Sequence, residues 1–599
     1  QLVGGKEIKG FGAITDVDVL KRIKIEFQKK ILQLNLKSIG ISNYGTITKR
    51  GRPGLELFFN GEKMTLARWP NVGWDTIADV PQNGEVVFAG DSNHIKNGLP
   101  IGRHYGRIGY NGDRPANWSN AQNIFLYGYW VWDWHDEFLQ VKSIDTIKKE
   151  ITIKPPHSSY GYIKGARYYA VNVLEELDQP GEWYLNRDDG SLYFWPPAPI
   201  ESGKTFVSLL DKPVIEIEGA NNVHIEGLDI EFSRGNGIVM RGGENNLIAG
   251  CNFNNLGDIA VRIEGGFKNG ISSCDIFNVA AGGIILSGGD RKSLTPAGNF
   301  AVNNHIHHFG QWLKTHQSAI SLGGVGNYVA HNLIHDGPNS GIQLSGNEHI
   351  LEYNELHHLG QETADVGAFY MGRNWTQRGN VIRYNYFHDL NGPGQNYVNG
   401  VYLDDFSSGT TIHGNIFARS SKGIEIGGGR DNIVSNNLFV ECKLGISVDA
   451  RGIGWAKYYF TGNDNTLFEG MDRVNYKQPP YSVKYPILLS LYNDEPAMPK
   501  NNKIINNISY KGKWIDLLDR LDFKTVLCSN NIVSEPDGKY KNEKDHVVNG
   551  NPGIINNKDG SFKLSADALK FGFKPLPFNR MGLMKDAYRK EVITPKFED

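Results

Sequence analysis

The chain has 599 residues, and its 63 Lys and Arg nearly balance its 65 Asp and Glu, which excludes the strongly basic class of proteins that bind nucleic acid or anionic membranes. Its four cysteines form no CxxC pair, and no apolar run approaches the roughly 18 residues of a membrane span, which excludes a zinc ribbon and a transmembrane helix. The 71 glycines and the repeated Asn-Asn pairs favour left-handed turns, and therefore an all-β chain of many short strands.

Residues 1–200 are predicted to form a β-rich N-terminal domain or insertion. Their short apolar runs are separated by turn residues and follow no fixed period; examples lie at 55–59, 123–127, 150–154 and 182–185. The aromatic group between Tyr129 and Glu137 offers either a sugar-stacking platform or part of the domain's core, and alternation along a strand favours the core. The sequence begins at Gln1 without a recognisable signal peptide, so we expect a mature or trimmed chain.

Residues 201–455 are predicted to form a right-handed parallel β-helix, whose first coil the N-terminal domain would cover. A small residue, an aliphatic residue, a variable residue and a second aliphatic residue recur, most often every 22 or 23 residues, which fits one coil of three short strands. Alternation places the aliphatic side chains inside and the variable one outside. The pattern occurs at 237–240, 260–263, 283–286, 319–322, 341–344, 367–370, 400–403, 423–426 and 445–448. Beyond it, residues 456–599 are predicted to hold the last coils and a loop-rich C-terminal cap.

Polar side chains also recur at fixed places in successive coils. An asparagine ladder joined by side-chain amide hydrogen bonds is expected at Asn304, Asn332, Asn354, Asn385, Asn415 and Asn437. A second column consists of His307, His335, His357 and His388, for which a hydrogen-bonded ladder is favoured over a metal site because no compact ligand set is evident. For Cys251 and Cys274, one coil apart, a cysteine stack or an incidental disulfide is favoured over a chemical role.

Three coils carry extra residues, and in each the insertion lies just before the same strand. These insertions, at 310–318, 360–366 and 391–399, are therefore expected to hang over one edge of the first sheet. Loops on a rigid scaffold are where binding and catalysis concentrate, so we predict a groove on this sheet between about residues 310 and 450.

The candidate catalytic residues are acids beside these insertions. Asp365 precedes one strand, Asp404 and Asp405 end the next, and Glu425 and Asp449 follow on later coils. Coils stack at about 4.8 Å, so acids one or two coils apart lie about 5–10 Å apart, which covers both retaining and inverting glycosidases. Crowding of like charges would keep one acid protonated while the other activates water.

Residues around these acids are expected to contact the substrate, and His388 joins them because it leads directly into the insertion at 391–399. We predict no metal and no cofactor. The predicted substrate-binding residues are Tyr370, Arg373, Trp375, Tyr402, Glu425, Asp449 and His388.

Two sets of motifs resemble the blocks shared by β-helix enzymes of glycoside hydrolase family 141. The first comprises 363–370, Arg373, 378–385 and 400–405, and the second 180–184 and 190–196. The resemblance extends from about residue 40 through the β-helix. It implies the activity of a family that includes α-L-fucosidases acting on plant pectin and an enzyme reported as a xylanase. The family's catalytic aspartates would fall on Asp365 and on either Asp404 or Asp405. Relatives usually carry further coils before the segment near Lys6, which this chain does not show.

The hypothesis is an inverting glycoside hydrolase, of the α-L-fucosidase type, that cleaves a complex polysaccharide with two aspartates as general acid and base. Its partner would be a polysaccharide or oligosaccharide, not nucleic acid or a membrane, and its location secreted, periplasmic or at the cell surface. Two rivals stay open, because fold alone does not separate them. One is a polysaccharide lyase on the same fold, and the other is a carbohydrate-binding β-helix protein without activity.

Overall fold

The computed structural model describes residues 1–88, 104–119, 121–392, 398–462, 464–534, 540, 542–556, 562–569 and 572–592. The chain divides into two compact units. The first comprises Gln1–Val214, Ile230–Asn236 and Asn255–Asp258, and the second comprises Ile215–Asp229, Gly237–Asn254 and Ile259–Asp599.

The first unit is built from mostly antiparallel sheets of seven, five and four strands. Its core includes Leu126, Trp130, Ile151 and Tyr168, so the prediction that the aromatic group contributes to a core is confirmed for Trp130. The strands of these sheets are Gly5–Glu7, Gly12–Ala13, Leu32–Asn35, Leu57–Phe59, Glu62–Lys63, Thr65–Leu66, Arg68–Trp69, Asp75–Thr76, Arg107–Gly109, Phe125–Gly128, Glu137–Asp145, Glu150–Ile153, Arg167–Val171, Glu182–Asn186, Ser191–Phe194 and Thr205–Ser208. Strand Leu2–Val3 instead pairs with Asp229–Glu231.

The second unit is a parallel β-helix with three long sheets. The first sheet contains Ile215–Glu218, Ile238–Arg241, Val261–Glu264, Ile284–Gly288, Ile320–Gly324, Ile342–Leu344, Val366–Met371, Val398–Leu403, Lys422–Gly427, Leu444–Asp449 and Lys513–Leu517. The second sheet contains His224–Glu226, Leu247–Ala249, Gly270–Ser272, Phe300–Val302, Tyr328–Ala330, Ile350–Glu352, Val381–Arg383, Thr411–His413, Ile433–Ser435, Lys503–Ile505 and Leu527–Ser529. The third sheet contains, within this unit, Asn252–Asn254, Asp275–Phe277, His305–His307, Leu333–His335, Glu355–His357, Tyr386–His388, Ile416–Ala418, Leu438–Val440, Ile508–Tyr510, Ile532–Ser534 and His546–Val548.

The remaining elements are short. A strand at Asp229–Glu231 carries residues of both units, and Ile554–Asn556 pairs with Phe562–Leu564. The described α-helices are Val17–Arg22, Thr466–Arg473, Tyr481–Lys484 and Ala566–Leu569. The described 3₁₀ helices are Lys37–Ile39, Arg114–Asn117, Ala121–Asn123, Leu174–Glu176, Ile200–Ser202, Lys457–Phe460, Pro486–Leu489, Leu491–Asn493 and Phe578–Arg580. Within the described ranges, no helix is both long and apolar enough to cross a membrane.

The register of the first sheet corrects one coil of the predicted repeat. Ile342 pairs with Phe369, and Gln343 pairs with Tyr370. The repeat in this coil therefore occupies residues 368–371 rather than 367–370, because the insertion before it displaces the pattern by one residue. Since side chains alternate across a strand, this shift places Tyr370 on the outer face.

The predicted asparagine ladder is present inside the β-helix, whereas the histidine column lies on the outer face of the third sheet and is a stack of rings. The backbone N–H of Asn385 donates to Asn415 Oδ1 at 3.0 Å, and the same contact repeats from coil to coil. The ladder continues beyond the predicted members through Asn507 and Asn531 to Asp545. The histidine column is stacked, with ring centroids 4.7–5.1 Å apart. Cys251 and Cys274 are both free, and the Cys251 N–H donates to Cys274 Sγ, which makes them a stack and not a disulfide.

Candidate active site

The acids predicted from the sequence come together on the outer face of the first sheet. Asp365 lies at the end of an insertion, immediately before strand Val366–Met371. Asp404 and Asp405 follow Val398–Leu403, the next strand of the sheet. All three insertions precede first-sheet strands, as expected, although residues 393–397 of the third insertion lie outside the described residues.

Arg451 joins four of these acids. Its Nη1 donates to Asp404 Oδ1 at 2.5 Å and to Asp405 Oδ1 at 2.9 Å. Its Nη2 donates to Asp449 Oδ2 at 2.7 Å and to Glu425 Oε1 at 3.3 Å, and its Nε also contacts Asp449. The arginine is only 3% exposed, so a buried guanidinium holds the carboxylates apart and in fixed orientations.

Two tyrosines connect the acids on the side that faces solvent. Tyr370 and Tyr402 pair on neighbouring strands and both point outward. The Tyr402 hydroxyl donates to Asp365 Oδ1 at 3.0 Å, and the Tyr370 hydroxyl donates to Asp404 Oδ2 at 2.8 Å. The two tyrosines thus place Asp365 and Asp404 beside neighbouring strands of the same sheet.

Asp405 is enclosed on its other side. Arg373 Nε donates to Asp405 Oδ2 at 3.0 Å, and the Tyr459 hydroxyl reaches the same oxygen at 3.4 Å. The Asp405 residue is 3% exposed, whereas the Arg373 side chain keeps 57% of its surface open to solvent. Arg373 is therefore positioned to contact a ligand, while Asp405 holds the Arg373 side chain in place.

The environment separates the acid strengths of Asp365 and Asp404. Burial, with the nearby charges of Asp404 and Glu425, raises the pKa of Asp365 from 3.8 to about 6. Burial also acts to raise the pKa of Asp404, but Arg451, Arg373 and the two tyrosine hydroxyls outweigh it and lower that pKa below its ordinary value. Burial and the charge of Asp404 raise the pKa of Asp405. Near pH 5, Asp365 is thus protonated beside an ionised Asp404.

The backbone around the acids adopts left-handed conformations. Asp365 has φ of 55° and Arg373 has φ of 62°, and Asp405 and Phe406 have φ of 27° and 65°. Such angles are costly for residues other than glycine, so the surrounding contacts must impose them. These turns lie beside the ends of the first-sheet strands Val366–Met371 and Val398–Leu403.

Two of the predicted substrate contacts lie elsewhere. Trp375 is fully buried with Leu467, Met471 and Tyr481 in a hydrophobic cluster, so it does not face a ligand in this structure. The reason is that the segment after residue 450 folds over it. His388 lies on the third sheet, where its ring contacts Glu355 and Asp389, and not among the acids of the first sheet. Glu425 and Asp449 are in the site, but both accept hydrogen bonds from Arg451.

The sequence analysis missed three residues of the site. Arg451 and Tyr459 belong to the long segment between the first-sheet strands Leu444–Asp449 and Lys513–Leu517, where the repeat blurs. Trp455 in the same segment is 55% exposed, with the Arg451 guanidinium 5.4 Å from its ring centroid. The sequence feature that could have located these residues is the length of this segment, which makes it a fourth and larger insertion on the first sheet.

Comparisons with known proteins agree with this architecture. The family model described as "Right handed beta helix region" matches residues 213–311 and 318–472. No curated protein matches the chain. One solved structure, described as "Glycoside hydrolase", is similar with a TM-score of 0.53 at 16% identity, over 74% of this chain and 82% of that one. A structure of XylC with xylose has a TM-score of 0.39 at 10% identity, over 92% of this chain and 76% of that one.

A further similar structure is the PL6 family alginate lyase AlyGC, with a TM-score of 0.31 at 14% identity, over 65% of this chain and 57% of that one. Of these structures, the one with a TM-score of 0.53 bears on the fold, and at 16% identity it does not bear on the reaction. Together with the three parallel sheets, the family model confirms the predicted fold: the second unit of this chain is a right-handed parallel β-helix.

Proposed function

We propose that this protein is a glycoside hydrolase in which Asp365 is the general acid and Asp404 the general base. The observation that supports this most strongly is that Arg451 and Tyr370 donate to Asp404, whereas Asp365 accepts from Tyr402. This difference agrees with a raised pKa for Asp365 and a lowered pKa for Asp404. A protonated acid beside an ionised one is the state in which hydrolysis of a glycosidic bond begins. The proposal takes Asp404 rather than Asp405 as the base, because the pKa of Asp404 is lowered and that of Asp405 is raised. Asp405 is also enclosed by Arg373 and Tyr459.

In the proposed reaction, Asp365 gives its proton to the oxygen of the leaving group as the bond to the anomeric carbon breaks. A water molecule forms the new bond to that carbon and loses its proton to Asp404. Protons then exchange with solvent and restore both groups. The pair is proposed to invert the anomeric configuration, as the resemblance to glycoside hydrolase family 141 implies, and the anomer of the first product tests this directly.

The charge of the site favours an uncharged sugar over a uronate. Three cationic side chains, Arg373, Lys422 and Arg451, face four carboxylates and the protonated Asp365. A cluster with excess negative charge stabilises the positive charge that develops on the sugar ring in a glycosidase transition state. The same cluster would repel the carboxylate of a uronate, which is the substrate of a lyase. This supports the hydrolase over the lyase.

A terminal α-L-fucosyl residue of pectin or a related polysaccharide is the substrate that we propose, following the resemblance. The half-open Trp455 ring beside Arg451 offers a flat apolar surface for one face of a sugar, and Arg373 offers donors to its hydroxyls. Such polymers occur outside cells, so we propose a secreted or cell-surface protein.

The test is a release assay with the purified chain on aryl α-L-fucosides and on pectic, xylan and marine polysaccharides. Reducing sugar released without new ultraviolet absorbance is the expected result. Products that absorb in the ultraviolet, from a newly formed double bond, would replace the hydrolase by a lyase. Retention on a polysaccharide without any product would replace it by a binding protein.

A further inference from the structure

The outer face of the third sheet gathers a second group of chemically active side chains, remote in the fold from the first-sheet acids. Glu355 and His357 are two positions apart on one strand and so point to the same side of the sheet. His388 pairs with His357 on the next strand. One potential ligand atom of each residue lies within 4.8 Å of the other two. The sequence analysis expected no metal because these residues are separated by 31 positions or more between coils; only the stacking of coils brings them together.

We propose that Glu355, His357 and His388 form a binding site for one zinc ion, or for a divalent transition metal of similar chemistry. Two imidazole nitrogens and one carboxylate oxygen are a ligand set that zinc accepts, with one tetrahedral position left for water.

The distances fit such a site with small movements. Ligand atoms of a tetrahedral zinc with bonds of about 2.0–2.1 Å lie about 3.4 Å apart. His388 Nε2 and Glu355 Oε1 are already 3.3 Å apart. The rings of His357 and His388 are stacked at 4.7 Å between centroids, so a tilt of the two rings towards each other closes the third side.

The second observation is the arrangement of carboxylates on both nitrogens of His388. Asp389 Oδ2 lies 2.6 Å from Nδ1, and Glu355 Oε1 lies on the Nε2 side. Nε2 of His388 and Oε1 of Glu355 thus face each other across 3.3 Å, and His357 lies beside them as a third possible ligand.

The surroundings resemble those of metal-binding histidines. Arg419 donates to both oxygens of Asp389, each at 2.8 Å, and so fixes the carboxylate that orients His388. A carboxylate held on the non-ligating nitrogen is a usual partner of a zinc-bound imidazole. Gly582 lies directly over Glu355, since a Cβ at this position would come 2.5 Å from Glu355 Oε2. An ion here would therefore link two coils beneath the C-terminal segment, which is a structural role.

The experiment uses the untagged full chain, freed of metal with a chelator and then titrated with zinc chloride. We expect one zinc per chain after gel filtration, and a higher thermal midpoint with zinc than without it. Glu355→Gln and His357→Ala should each weaken binding at least tenfold. His307→Ala is the matched control, because it removes a ring from the same stacked column but no proposed ligand, and it should bind like the wild type.

A cobalt titration adds a spectroscopic reading, because cobalt in a four-coordinate site absorbs visible light strongly and a surface-bound hydrated ion does not. Less than one tenth of a zinc per chain in the wild type would overturn the proposal. Equal binding by Glu355→Gln and His307→Ala would overturn it as well. If His357→Ala fails to fold, Glu355→Gln decides alone, since it keeps the size of the side chain.

Discussion

At the scale of single residues, the candidate site depends on how one buried arginine divides its bonds. Arg451 neutralises Asp404 and Asp405 through one nitrogen and engages Asp449 and Glu425 through the others. Among the residues that the structure describes, Asp365 receives no bond from Arg451 and accepts one side-chain hydrogen bond, from the Tyr402 hydroxyl. Because opposite charge lowers a carboxyl pKa and burial without it raises one, this division separates a proton donor from a proton acceptor.

The pH dependence of the activity should reflect Asp365. The proposed acid must be protonated, and its pKa is about 6, so kcat/KM should fall as pH rises through about 6. Initial rates on an unactivated substrate between pH 4 and 9 measure this. An aryl substrate with a good leaving group should show a weaker decline in the same buffers. A kcat/KM that stays constant up to pH 8 on both substrates would contradict the assignment of Asp365.

The free energy of unfolding should also depend on pH because of the raised pKa of Asp365. The folded chain binds a proton on Asp365 more tightly than the unfolded chain does, so this proton stabilises the folded state. The stabilisation is complete below pH 3.8 and is lost as pH rises through about 6. Asp365→Asn removes the ionisation and should be more stable than the wild type at pH 8, by about 1–3 kcal/mol. At pH 5 the difference should be smaller. Denaturant unfolding at both values provides the measurement, and a less stable variant at pH 8 would refute the explanation.

Arg451→Met should be strongly destabilising at neutral pH. The variant leaves several nearly buried carboxylates without their cation, and breaking a buried ion pair from one side costs about 3–5 kcal/mol. Arg373→Met is the control, since this arginine is half-exposed and its ion pair is worth less than about 1 kcal/mol. Unfolding midpoints of both variants give the comparison. Similar losses in the two would show that Arg451 does not organise the cluster.

Among these residues, the acids were predictable and the arginine was not. Asp365, Asp404 and Asp405 stand beside strands whose period is visible in the sequence, and so their common face follows from the coil length. Arg451 lies after the last clear repeat, and nothing in its neighbourhood fixes where its long side chain reaches. Trp375 was misplaced for a related reason, because its burial depends on the segment that contributes Leu467 and Met471.

At the scale of the elements, stacked amides fix the register of the coils. Asn385 accepts from the Asn354 side chain and N–H, and donates to Asn415 Oδ1 and to two backbone carbonyls. Each buried N–H or C=O that loses a partner costs about 1–3 kcal/mol. The periodicity of the sequence predicted this ladder and the three insertions. It failed by one residue at 367–370, because an insertion hides where the strand resumes.

Asn385→Ala should therefore lower the free energy of unfolding by about 2–4 kcal/mol, because its neighbours above and below lose their partners. Asn391→Ala is the matched control: this residue is exposed, its side-chain amide donates to the Arg419 carbonyl, and its Oδ1 accepts from the Ser421 hydroxyl. Urea unfolding followed by far-ultraviolet circular dichroism distinguishes them. Equal midpoints for the two variants would mean that the ladder does not stabilise the coils.

At the scale of the whole chain, segments distant in sequence complete the β-helix. Met584 exchanges two hydrogen bonds with Asn303, and Arg589 contacts Asp275 and the Cys274 carbonyl. The residues from 572 to 592 thus lie along several coils of the second unit. Composition and turn signals predicted a loop-rich C-terminal end, but these contacts are between single side chains and leave no period in the sequence.

The central claim is that the first-sheet acids hydrolyse a glycosidic bond. Its most direct test is the rate of sugar release by the wild type, Asp365→Asn and Asp404→Asn, with Asp516→Asn as control. Asp516 points outward from the same sheet, where it pairs in register with Ser447, and it forms an ion pair with Lys513. Loss of at least a hundredfold in the first two variants, with the control unchanged, is the result that we predict. Release that persists in both variants would contradict the proposed site and its mechanism.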